Sequence, residues 1–203
     1  MKTDLKIILK TAEQLFAQKG YDSTTMDEIA EKASVNKATI YYHIGGKQKL
    51  YEIIIEEKID KIKSIIESEM DKCQSNYEKI FLIIDTISKV SGKEKTIPKI
   101  MLKEISSGMQ TFPPALFDNL KSIYQLFRKI ILQGIENGDF VEDDPVTTHA
   151  FLMSSALFAN IIPSLRSKLS EHGIGQNEKT HPENEIKNFV NLVLYGIAGR
   201  SSR

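Results

Sequence analysis

Tryptophan is absent from this 203-residue chain, cysteine occurs once, and net charge is zero, with 27 Lys+Arg balanced by 27 Asp+Glu. The lone Cys73 excludes an intrachain disulfide, so the fold must rest on packing, and a reducing, cytoplasmic setting is expected. Its neighbour Lys72 would suit a redox sensor, but a plain thiol is the simpler reading. Zero net charge excludes a protein that coats nucleic acid indiscriminately; any electrostatic steering must come from where the charges sit. Residues 1–50 hold eight Lys against six acidic side chains, a small excess. No apolar leader is expected, because the first twenty residues form a charged amphipathic pattern. From Pro145 to Leu165 there is no Asp, Glu, Lys or Arg. That length could span a bilayer, but Thr147, Thr148, His149, Ser154, Ser155, Asn160 and Pro163 make the run too polar, so no membrane association is expected. The four His and single Cys lack metal-ligand spacing, and no metal or cofactor is expected. Paired carboxylates in a coherent frame, a nucleophile elbow and a phosphate loop are also missing, which argues against an enzyme.

What is present is helical periodicity. Leu5, Ile8, Leu9, Ala12, Leu15 and Phe16 recur at three- and four-residue spacing, and Gly20 stops the pattern. Thr24 or Thr25, with Asp27 or Glu28 three residues on, reads as a capping box for a second helix bearing Met26, Ile29, Ala30 and Ala33. Asn36 caps a third helix running to about His43, and Gly45-Gly46 breaks the chain. Leu15, Phe16, Ile29, Val35, Ile40 and Leu50 form the expected core of this head. A long helix follows over about 47–73, then helical patterns at about 76–91, 95–107, 114–137, 145–170 and 183–199. Pro113-Pro114 and Asp144-Pro145 are helix starts, and residues 170–182 form a polar loop. The fold class is all-α, with a head over residues 1–46 and a larger body over 47–203.

The head carries the chemistry. Two short helices joined by a tight turn form a helix-turn-helix, whose second helix enters the DNA major groove. Lys37, Ala38 and Thr39 open that helix, where a Lys can donate to guanine and an Ala or Thr methyl can touch thymine. Tyr41, Tyr42 and His43 can reach phosphates and pack on sugars. Thr25 offers a hydroxyl and free backbone N–H groups to another phosphate, and Lys47 adds a cation. Read singly, each could be structural; successive helical residues lie about 100° apart, so Tyr41, Tyr42 and His43 cannot all face the core.

Residues 5–50 resemble the N-terminal domain of the TetR family of transcriptional regulators. The resemblance rests on Ala12-x-x-Leu15-Phe16, Lys19-Gly20-Tyr21, Thr24-Thr25, Ile29-Ala30, Val35, Lys37-Ala38-Thr39-Ile40-Tyr41-Tyr42-His43, Lys47 and Leu50. It implies a two-fold symmetric dimer of about nine helices per chain, whose heads bind operator DNA and whose bodies take a releasing small molecule. Carried over residue by residue, it assigns DNA contact to Thr25, Lys37, Thr39, Tyr41, Tyr42, His43 and Lys47. Three positions depart from the family pattern. Ser34 replaces the usual turn Gly, at about 1 kcal/mol if the residue is left-handed. Ile44 replaces Phe, and Gly46 replaces a Ser or Asn cap.

In the body, Leu152, Ala156 and Ala159 lie on one side of the charge-free segment and Phe151, Phe158, Ile162 and Leu165 on another. With Phe189 and Val193 of the last helix, Leu152, Ala156 and Ala159 are the expected homodimer interface; burial within one chain is the alternative. Phe81, Met101, Ile105, Met109, Phe112, Tyr124, Phe127 and Phe151 are the candidate lining of an effector cavity, since Met mixed with aromatics suits an adaptable apolar site. Plain core packing is the competing reading for these eight. His149 is read as a satisfied or solvated histidine before an effector ligand. The function expected is a ligand-responsive regulator, most simply a repressor. A helical carrier of an apolar molecule with a non-functional head is the alternative, and it would lack salt-sensitive DNA binding.

Overall fold

The computed structural model describes residues 2–92, 96–140, 144–175 and 186–191. Helix α1 is Lys2–Lys19, α2 Met26–Ala33, α3 Lys37–His43 and α4 Lys47–Glu69. After a 3-10 turn at Met70–Lys72 come α5 Asn76–Gly92 and α6 Thr96–Ser106. A second 3-10 turn, Pro114–Leu116, leads into α7 Phe117–Glu136, followed by α8 Pro145–Phe158 and α9 Ile162–Glu171. Residues 186–191 are helical, and no strand occurs among the described residues. The fold is all-α.

The expected long helix over 145–170 is two helices, bent by 61°. The cause is Pro163, in the first turn of α9: it has no N–H to donate and its ring clashes with the carbonyl four residues back, at Ala159. No single helix among the described residues is long and apolar enough to cross a membrane, although the bent α8–α9 pair passes on length and composition.

Packing divides the chain into two units. The first joins residues 1–61 with 94–120, so by packing the chain divides inside α4 and not at Gly45-Gly46. In this unit α1 packs on α2 and α6, and α2 on α3. Its core takes Ile8, Ala12, Leu15 and Phe16 from α1, Ile29 and Ala33 from α2, Ile40 from α3, and Leu50 and Tyr51 from α4. Of the expected head core only Val35 is half-buried. The rings of Phe16, Tyr21 and Tyr51 form a cluster with centroids 4.9–5.9 Å apart. Behind it, the Tyr51 hydroxyl donates to Glu104 Oε1 at 2.6 Å, and Thr111 Oγ1 donates to the same oxygen at 2.5 Å. Glu104 is buried and its Oε2 has no hydrogen-bond partner. Burial, and then the neighbouring carboxylate, push the Tyr51 phenol well above its ordinary range, so it remains a donor.

The second unit comprises 62–93 with 121–203, and its central contact is α5 on α8. Ile80, Ile83 and Ile84 of α5 and Leu152 and Ala156 of α8 are buried. The Asn160 amide donates to the Ser88 carbonyl at 3.1 Å and to Ser88 Oγ at 3.2 Å. Gly134 of α7 admits the ring of Phe140: a Cβ there would stand 2.2 Å from Phe140 Cδ2.

Candidate nucleic-acid interface

The frame of the interface is built from local signals. Thr25 caps α2, its Oγ1 accepting from the Glu28 N–H at 3.2 Å. The neighbouring Thr24 is instead buried and donates its hydroxyl to the Gly20 carbonyl at 2.8 Å. Asn36 caps α3, Oδ1 accepting from the Ala38 N–H at 2.8 Å. Between the helices Ser34 adopts φ 55, ψ 40. Its N–H reaches the Glu31 carbonyl at 3.1 Å, and the Val35 N–H reaches the Ala30 carbonyl at 3.0 Å. This crossed pair ends α2 as a left-handed cap usually ends a helix, with a serine in a conformation that favours glycine. At the far end of α3, Gly45 has φ +100, which a side chain would resist. The Leu50 N–H bonds to the Gly46 carbonyl, opening α4.

These turns leave one face of α3 open. Ile40 is its only fully buried residue. Tyr42 is 85% exposed and Tyr41 49%; Ala38 and His43 are exposed, and Lys37 and Thr39 half-buried. The rings of Tyr42 and His43 meet edge to face at 4.9 Å. A phenol so exposed contributes little to folding, and an aromatic donor standing in solvent on the second helix of a helix-turn-helix suits a sugar-phosphate backbone.

The two lysines are held differently. Lys37 Nζ lies 2.8 Å from Asp27 Oδ2 in α2, and that hydrogen bond raises its pKa. Lys47 Nζ donates to the Asp22 carbonyl at 3.2 Å and lies 4.3 Å from the centre of the Tyr21 ring; burial lowers its pKa. The sequence points Lys37 at base edges and Lys47 at a phosphate, with no sign that Asp27, Asp22 or Tyr21 holds them. Asp27 was legible only as a capping residue, since nothing in one sequence shows that the second residue of α2 meets the first of α3.

Residues 8–54 match the family model of bacterial regulatory proteins of the tetR family. The head is therefore a DNA-binding domain of the TetR type. It is 26% identical over 198 residues to the HTH-type transcriptional regulator YhgD of Bacillus subtilis (strain 168), covering 97% of this chain and 96% of that one. It is 25% identical over 187 residues to IcaR of Staphylococcus aureus (strain Newman), the negative transcriptional regulator of the biofilm operon icaADBC, covering 92% and 97%. The fold matches that of FadR from Bacillus subtilis in complex with stearoyl-CoA, with TM-score 0.68, 16% identity, and 95% and 98% of the two chains covered. With this head and these relatives, the chain is a DNA-binding transcriptional regulator.

The body residues fare unevenly. Leu152 and Ala156 have no exposed surface and Ala159 is 9% exposed, all within a single chain. Within one chain these three side chains are packed as core, the alternative that the sequence left open. The large apolar side chains of α8 left open are Val146, at 59%, Phe151, at 63%, and Phe158, at 47%. Phe189 is half-buried, and Val193 lies outside the described residues.

The effector set is divided between the units. Phe81, Tyr124, Phe127 and Phe151 belong to the second; Met101, Ile105, Met109 and Phe112 belong to the first. The rings of Tyr124 and Phe127 each stand edge-to-face with His149, with centroids 5.1 Å away, and burial lowers the His149 pKa. Phe81 stacks with Tyr77, and buried Phe112 packs on Phe117. Met101 and Met109 are half-buried. Ile105 and Phe151 are more than half exposed. The reason is register: the buried stripes run through Ile97, Ile100 and Glu104 on α6, and Thr148, Leu152 and Ser155 on α8. Ile105 and Phe151 each lie one step off their stripe. An open groove of about 410 Å³ runs over α7, lined by Gln125, Arg128, Lys129, Leu132, Gln133 and Glu136, and shares no residue with the effector set. Among the described residues no group of three His, Cys, Asp or Glu side chains could hold a metal ion.

Proposed function

We propose that this regulator is a repressor that binds a palindromic operator as a homodimer and is released by a small apolar or amphipathic effector. The functional division is at Gly45-Gly46: residues 1–46 read DNA, and residues 47–203 hold the effector and the second copy. The observation that carries the reading is the open face of α3, where Tyr41, Tyr42 and His43 stand in solvent on a helix anchored by Ile40. Lys37, Ala38 and Thr39 approach base edges, while Thr25, Tyr42, His43 and Lys47 hold phosphates.

Repression is supported by the name of IcaR, a negative regulator. An apolar or amphipathic effector is supported by the stearoyl-CoA bound to the FadR of like fold, and by the aromatic setting of His149, Tyr124 and Phe127. The homodimer is supported by the exposed Phe151, Phe158 and Leu165 on a stretch with no charge, a face that a second copy would cover isologously. Two heads would then sit in successive major grooves, about 34–36 Å apart. An effector that binds better to a form with another head spacing releases the DNA by its differential affinity.

The test is a gel shift with Tyr42→Ala. Loss of a hydrogen bond to a charged phosphate, about 1.5–3 kcal/mol, should weaken operator binding roughly 10- to 100-fold. Unchanged affinity would remove Tyr42 from the interface.

A further inference from the structure

Both acidic residues in the first turn of α2 have lysine partners, but of different kinds. Glu28 meets Lys19 at 2.6 Å and Lys32 at 3.7 Å, cations of α1 and of its own helix. Asp27 instead reaches across the turn to Lys37, the first residue of the recognition helix, at 2.8 Å. Its side chain is 75% exposed against 43% for Lys37. The carboxylate thus stands in solvent beside the end of α2 that Thr25 caps, where the DNA-binding reading places a phosphate.

We propose that Asp27 sets the sequence specificity of the head by holding Lys37 away from phosphates and towards the base edges. This rests on the DNA-binding reading above. A free lysine at the start of α3 would bind any phosphate, because that contact carries no sequence information. Tied to Asp27, it can leave only by stranding a carboxylate in the negative field of the duplex. A duplex of the wrong sequence offers nothing in return, and so is disfavoured. In the right sequence the loss is made good in the major groove, where guanine O6 and N7 accept from Lys37 and a cytosine amino group can donate to Asp27. Asp27 is a positioning residue in this account, since it acts through Lys37.

The experiment compares full-length wild type, Asp27→Asn, Lys37→Gln and the double variant by fluorescence anisotropy. Each is titrated with a random-sequence duplex and with the best-enriched duplex from a random pool, between 50 and 200 mM salt. Asp27→Asn should bind the random duplex more tightly. Its slope of log affinity against log salt should steepen by about 0.9, one more phosphate neutralised, which is roughly a 3- to 4-fold change over that salt range. Its ratio of selected to random affinity should fall, and in the Lys37→Gln background the Asp27→Asn gain should vanish.

Two results overturn the proposal while leaving DNA binding intact. One is unchanged binding of the random duplex by Asp27→Asn. The other is a gain that persists undiminished without Lys37, which would mean simple removal of a repelling charge. Tyr42→Ala, which leaves the ion pair in place, is the reference: weakened binding there shows that the DNA reading stands whatever Asp27 does. A wild type that binds no duplex overturns both.

Discussion

Replacing Ser34 by glycine should stabilise the protein, because the serine occupies a conformation meant for a residue without Cβ. At φ 55, ψ 40 it lies in the left-handed region, where an L-residue costs about 1–2 kcal/mol. Glycine removes that cost but gives up more backbone freedom on folding, about 0.5–1 kcal/mol. The difference leaves a gain of roughly 0.5–1 kcal/mol. The cap itself should survive, since its bonds, Ser34 N–H to Glu31 O and Val35 N–H to Ala30 O, are made by backbone alone. For a chain of this size, 1 kcal/mol moves Tm by about 2–4 °C, so thermal melting by circular dichroism should show a rise of about 1–4 °C. Protein concentration must be held fixed, because association shifts Tm by itself. DNA affinity should be unchanged, as the turn geometry is kept. An equal or lower Tm would refute the reasoning and show that the serine side chain contributes more than its backbone costs.

Tyr51→Phe removes a hydroxyl that donates at 2.6 Å to buried Glu104, whose other oxygen already has no partner. Urea unfolding should show a loss of about 1.5–3 kcal/mol; a change under about 0.5 kcal/mol, the size of an ordinary surface substitution, would contradict it. Burial lowers the His149 pKa below its ordinary 6.5, so the unfolded chain takes up a proton first as pH falls. The associated stability is fully present above about pH 6.5 and is lost as pH falls towards the lower folded value. His149→Phe should therefore flatten the fall in Tm between pH 7.5 and 5.5, and an undiminished fall would exclude His149 as its source.

The head was legible in the sequence because its signals are local. Asn36 and Asp144 cap helices where their positions say they should, and Thr25 rather than Thr24 does so because Thr24 is turned inward to Gly20. The left-handed turn at Ser34 followed from the glycine that the resemblance leads one to expect there. The body was less legible, since its helices carry apolar residues on more than one side. Leu152 and Phe151 are equally apolar, and only packing against α5 decides which is core and which is open. The bend before α9 could have been read from Pro163, but the absence of charge over the whole stretch concealed it. Asp27 was missed for another reason: its partner lies ten residues away on another helix, and one sequence carries no trace of that distance.

The central claim is that the open face of α3 reads a specific DNA sequence as part of a two-fold pair. Selection of bound duplexes from a random pool by the full-length protein, followed by sequencing, tests it most directly. The account predicts enrichment of two inverted half-sites with centres about one helical turn, 10–10.5 base pairs, or a multiple of it apart. A bound pool no different from the input would contradict it.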